Sequence, residues 1–313
     1  MQGLLRQRRS HGAGSNARPL MLTVAGCAVR ITCRSPGLFD VLLKGYGAMR
    51  RRSAAAGDLN YIVRRKRGRR SYCILRPGRR ALRAADDGEF IFRFEKELTL
   101  ELQRRRPDLY FVHAAALEFA GKGILLVAPS GGGKSTLTWG LLHYGFAYLS
   151  DELAPVDLRT LRVCPYPHAL CLKQEPPRGF PLPASILRTR RTLHVPTTEL
   201  PSRTLARSVP LGSVIFLKYS ESEPSAAQLQ RISKAEATTR LFAQALNPLA
   251  HSEDGLSAAA AIAGHAACYR LRFSDLSATC DLMANLLSDK RSIASPCGDR
   301  RRKGTSSLPG ELR

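Results

Sequence analysis

The sequence contains no CxxC pair among its eight cysteines, and these share no metal-ligand spacing with its seven histidines. Zinc ribbons and dithiol redox motifs are thereby excluded, and the cysteines read as reduced thiols of a cytoplasmic protein. No stretch approaches the ~20 consecutive apolar residues that a membrane span needs. One stretch imitates an export signal: basic residues precede Leu20 to Ala25, and Val24-Ala25-Gly26-Cys27 has the look of a lipoprotein cleavage site. That apolar run is short, lies far from the start, and continues as alternating Val29, Ile31 and Cys33, which is strand behaviour.

Acidic residues are also scarce. Asp and Glu number 25 against 49 Lys and Arg, for a formal charge of +24. The imbalance is local, because residues 1–106 hold 25 basic against 8 acidic side chains and residues 289–313 hold 7 against 3. The middle of the chain is therefore nearly neutral. Aromatic residues are not interleaved with the basic runs Arg50 to Arg52, Arg64 to Arg70 and Arg300 to Lys303. Those runs read as solvated loop charge, and specific nucleic-acid binding is not expected.

What is present is enough for a real core: 313 residues, 44% hydrophobic, of a length that suggests about two domains. Residues 1–18 are polar and basic and are expected to be disordered. Residues 19–106 are read as a small β-rich domain, with strand-like runs at Leu22 to Cys33, Leu59 to Val63, Ser71 to Leu75 and Phe90 to Phe94. A helix from Glu95 to Arg106 ends at Pro107. Residues 107–288 are read as an α/β domain. Its strands are Leu109 to Phe119, Gly123 to Ala128, Phe146 to Ser150, Ser213 to Tyr219 and Tyr269 to Phe273. Its helices are Ser135 to His143, Lys234 to Leu246, Leu256 to Ala267 and Leu276 to Leu287. Residues 289–313 form a charged tail.

The segment APSGGGKST, Ala128 to Thr136, follows the apolar run Ile124 to Val127 and precedes apolar residues at helical spacing. Three glycines let backbone amides turn inward, and a helix N-terminus attracts an anion. Ala128, Ser130, Gly131, Gly132, Gly133, Lys134, Ser135 and Thr136 are thus the candidate nucleotide cradle, with Lys134 toward the β- and γ-phosphates of ATP and Ser135 on Mg²⁺. The pattern GxxxxGK followed by Ser or Thr is met except that Ala128 replaces the first glycine. Asp151 and Glu152 arrive at the end of the next strand, where they can supply a Mg²⁺ carboxylate and a base for a hydroxyl acceptor.

The run HAAALEFAGKGILLVAPSGGGKSTLTWGLLHYGFAYLSDEL, His113 to Leu153, resembles the catalytic domain of HPr kinase/phosphorylase, and more closely the HPr-kinase-related proteins. SDELAPVDLRT, YPHALCLK, RLFAQALN and YRLRFSDL share that flavour, so the likeness covers roughly residues 90–288. It implies a P-loop kinase domain of the phosphoenolpyruvate-carboxykinase-like type behind the β-rich N-terminal domain. It also implies Asp151 as the base, Glu152 as the second acid of the metal pair where the family has Asp, and His113 as a catalytic neighbour. Glu175 is a further acidic candidate by position. An RGLG-like segment, linked to phosphorylase activity, is missing from residues 170–215.

The expected activity is transfer of the γ-phosphoryl of ATP to a hydroxyl, with a protein serine foremost. Expected partners are ATP, a protein or small-molecule acceptor, and further copies of the chain in a homo-oligomer. The alternative is an ATP-binding switch or accessory protein with little transfer chemistry.

Overall fold

A computed structural model describes residues 18–51, 57–65, 71–220, 226–251 and 255–288. The sequence-based expectations for residues 1–17, most of the Arg64 to Arg70 run, Arg52 and the tail from residue 289 lie outside the described residues.

Two apolar runs open the chain as a hairpin, β1 (Arg18–Val24) against β2 (Cys27–Cys33), so β1 begins inside the segment expected to be disordered. The turn is Ala25-Gly26 with φ of 46° and 82°, the left-handed pair that a two-residue hairpin loop requires. The lipoprotein-like tetrapeptide is therefore a strand turn. Next comes α1 (Pro36–Tyr46), which the strand-rich reading did not anticipate. Pro stands in its first turn, where no amide is needed, and Leu38, Leu42 and Tyr46 make a buried stripe four residues apart. β3 (Leu59–Arg65), β4 (Tyr72–Leu75) and β5 (Leu82–Ala84) complete a five-stranded sheet in the order β1-β2-β3-β4-β5.

Phe90 to Phe94, expected as a strand, lies in α2 (Asp87–Arg105). Asp86 caps it by accepting from the Glu89 amide at 2.8 Å, and Phe90, Phe94, Leu98 and Leu102 bury one face at a strict spacing of four. The spacing, not β propensity, decides the element. The cluster that α2 closes runs on into Leu109, Phe111, Leu153 and Tyr166, beyond the expected boundary at residue 106.

A nine-stranded sheet forms the rest of the core. The expected strand Leu109 to Phe119 is two, β6 (Leu109–Val112) and β7 (Ala114–Phe119), because His113 leaves the ladder and its amide donates to Gln244 O at 2.8 Å. β8 (Lys122–Val127) leads through the glycine loop to α3 (Lys134–His143) and then β9 (Ala147–Ser150). β10 (Ala154–Asp157) and β11 (Arg162–Val163) follow. A separate three-stranded sheet holds β12 (Leu170–Leu172), β13 (Leu187–Arg188) and β14 (Leu193–Val195). The main sheet resumes with β15 (Val209–Tyr219) and β16 (Gln228–Arg231), passes through α4 (Lys234–Phe242) and α5 (Gly255–His265), and ends with β17 (Ala267–Phe273) before α6 (Leu276–Ser288).

Strand order is β6-β10-β11-β15-β8-β7-β9, with β17 joined to β15 and β16 to β17. Alternation along β8 sorts the two faces. Ile124 and Leu126 pack with Leu137, Leu141 and Cys280 of α3 and α6, whereas Leu125 and Val127 pack with Leu241, Ala259 and Ile262 of α4 and α5. The result is a mixed α/β fold with helices on both faces of the large sheet. β8, β15 and β17 are parallel, and β7 is antiparallel to both β8 and β9. Four strands thus end at one edge, the edge where such sheets place ligands.

Candidate functional site

The loop after β8 is shaped by its glycines. Gly131 and Gly133 have φ of 86° and 85°, and a Cβ on Gly132 would stand 2.7 Å from Ala128 Cβ. Gly133 is the residue before α3, and no side chain caps the helix there. The first-turn amides, which have no partner inside a helix, therefore face the loop's concavity. Lys134 is 5% exposed, and its Nζ donates to Ala128 O at 2.8 Å. Burial lowers its proton affinity, and Asp151 and Glu152 offset this only in part. Among the described residues the loop holds its own lysine in place.

β9 brings Asp151 back to this loop. Ser135 Oγ donates to both its carboxylate oxygens, at 3.1 and 2.9 Å, and the Cys171 amide donates to Oδ2 at 3.1 Å. Asp151 is fully buried, and that burial, with Glu152 beside it, raises its carboxyl to about 6. Glu152 is exposed and takes φ of 69°, an uncommon conformation for a non-glycine residue. The acid pair is thus divided into one buried and one solvent-facing carboxylate. His113 is half-buried at the break between β6 and β7; burial, then Lys134, lowers its proton affinity. Neighbouring Glu152 acts the other way.

Three groups beside the site were not singled out from sequence. His168 is buried, and its ring Nε2 meets the Asp151 carbonyl; burial would lower its proton affinity, but Glu95 and Asp151 raise it on balance. The Cys171 amide is the second. The third, Lys173, reaches across to donate from Nζ to Ser130 Oγ at 2.7 Å. All three lie on or next to β12, and the only sequence signal was the run YPHALCLK, whose apolar alternation marks a strand but not its neighbour. Behind them, the Glu95 carboxylate accepts from Tyr46 and, at 2.6 Å, from Tyr166, while Tyr148 donates to the His168 carbonyl at 2.9 Å. Glu175 pairs instead with Arg188, at 2.6 Å.

The donor set suits a hard cation. Among the described residues no cluster of three or more His, Cys, Asp or Glu side chains could hold a metal ion by itself. Ser135, Asp151 and Glu152 offer oxygen donors only, as Mg²⁺ takes when phosphates and water complete its shell. The seven cysteines among the described residues are free, and no helix among them is long and apolar enough to cross a membrane.

No family model and no curated protein matches the chain. Among solved structures, the HPr(Ser) kinase/phosphatase from Coxiella burnetii aligns over 58% of this chain and 95% of its own, at 13% identity and a TM-score of 0.30. The functional reading therefore rests on the geometry of the site.

Proposed function

We propose that the chain is an ATP-dependent kinase that transfers the γ-phosphoryl group to a hydroxyl acceptor, with a protein serine foremost. The observation that carries this reading is the bond from Ser135 to a buried Asp151 at the mouth of a glycine loop. That pairing supports the reading because a carboxylate at the loop hydroxyl can serve both Mg²⁺ and the proton of an acceptor hydroxyl.

In this reading the amides of Gly131 to Ser135 cradle the phosphates, and Lys134 leaves the Ala128 carbonyl to meet the β- and γ-oxygens. Lys173 adds a second cation from the side of Ser130. Ser135, Asp151 and Glu152 hold Mg²⁺, which when bound neutralises charge between the phosphates. Asp151 accepts the proton of the acceptor hydroxyl, and its burial brings its basicity toward the working pH. His168 holds its backbone carbonyl, and His113 feels the charges of Lys134 and Glu152.

The test is incubation of the purified chain with γ-labelled ATP and fractions of proteins or metabolites, beside Asp151→Asn. Label on an acceptor that depends on Asp151 supports the reading. ATP binding with no labelled acceptor in any fraction overturns it in favour of a switch.

A further inference from the structure

The site has two sides. β9 delivers the carboxylates on one flank of the loop, and β15 and β17 end on the other. A triphosphate whose terminal group faces Asp151 must send its ribose and base away from β9, across the ends of β15 and β17. Two aromatic residues stand there. Tyr219 closes β15 and Phe273 closes β17, in register as neighbours, with ring centroids 5.5 Å apart and planes inclined by 58°. Both press on the loop: a Cβ on Gly133 would lie 3.0 Å from Phe273 Cζ and 3.5 Å from Tyr219 Cβ. Phe273 is buried, whereas Tyr219 is 44% exposed. Burial of Phe273 explains its type. An aromatic ring half in water beside a phosphate-shaped loop is not explained by packing.

We propose that Tyr219, backed by Phe273, is the stacking platform for the base of the bound nucleotide. The inference rests on the nucleoside-triphosphate reading given above. Every base has a π-face, so a platform without hydrogen-bond readout accepts purines alike, and ATP and GTP bind with similar affinity. Phe273 fixes the height of the platform by filling the space under it, and Gly133 lets the loop lie against both rings.

The test compares magnesium complexes of ATP and of inorganic tripolyphosphate, which has the same chain of three phosphates and neither ribose nor base. Titration calorimetry is run on the full chain, Tyr219→Ala and Tyr219→Phe. Expected is a loss of about 10- to 100-fold in ATP affinity for Tyr219→Ala, with tripolyphosphate affinity unchanged and Tyr219→Phe like the parent. Equal losses for both ligands would mean that the substitution only disturbs the loop, and would overturn the platform. So would an unchanged ATP affinity, or a parent chain that binds tripolyphosphate as tightly as ATP; in both cases the phosphate-loop reading stands. A parent chain that binds neither ligand overturns that reading and the platform with it.

Discussion

Ser135 donates to both carboxylate oxygens of Asp151, a side chain sixteen positions later that is fully buried. The loop hydroxyl and the strand-end acid are therefore one unit, and substitutions on its two sides have separable consequences.

Asp151→Asn keeps the size and one acceptor while removing the base. MgATP binding is expected within about tenfold of the parent, a cost of roughly 1.4 kcal/mol or less, while transfer falls by at least ~10²-fold. Single-turnover transfer and calorimetric binding, measured side by side, check this. Glu152→Gln run in parallel shows which acid carries the metal. Parent-like transfer by both variants would favour the switch.

The same residue shapes stability in the metal-free chain. Its carboxyl is raised from the usual range to about 6, burial being the main cause and Glu152 the next. The folded state thus binds more protons than the unfolded state between about pH 4 and 6. Its contribution is fully present below pH ~4 and is lost as pH rises through about 6, by on the order of 3 kcal/mol. Urea unfolding in the presence of a chelator should show that slope, and Asp151→Asn should flatten it.

Lys134→Ala removes a point charge that no neutral side chain replaces. The bonds it gives up, from Nζ to the Ala128 and Pro129 carbonyls, lie within the loop itself, so the loss is local and the rest of the fold should stand. The variant should lose the MgATP-induced rise in melting temperature that the parent shows. Equal rises in both chains would remove the phosphate-loop assignment.

Lys173 is exposed and, among the described residues, its Nζ donates to Ser130 Oγ at the surface, so Lys173→Met should leave the melting temperature of the free chain within about a degree or two. Its expected effect is on the transferred group. Transfer at saturating MgATP should fall at least tenfold while MgATP affinity changes by less than about fivefold. A variant with parent-like transfer makes Lys173 a surface residue.

Glu95→Ala tests the buried support behind the site. It strands the hydroxyls of Tyr46 and Tyr166, each of which donates to that carboxylate in the core between α2 and β12. A loss of about 2–4 kcal/mol in urea unfolding is expected, since buried donors without partners keep their full desolvation cost. Adding Tyr46→Phe and Tyr166→Phe should recover part of that loss, and no recovery would count against this account.

Local rules carried much of this protein into view. Ile124 to Val127, three glycines, Lys134 and Ser135 form strand, loop and helix by short-range physics alone: apolar burial, glycine φ, and the free amides of a helix start. Asp151 was legible for the same reason, as the first acid after the next apolar run. Propensity failed where spacing overruled it. Phe90 and Phe94 are good strand residues, yet a separation of four and a cap at Asp86 put them on one helix face. His113 looked like the middle of a strand, and only the pull of Gln244 on its amide ends β6 there. No local pattern shows that Glu152 turns outward at a positive φ while Asp151 turns in. Nor does any reveal that Lys173 meets Ser130, or that Tyr219 and Phe273 close on Gly133. Those contacts join residues far apart in the chain, and the order in which the large sheet lays down its strands decides them.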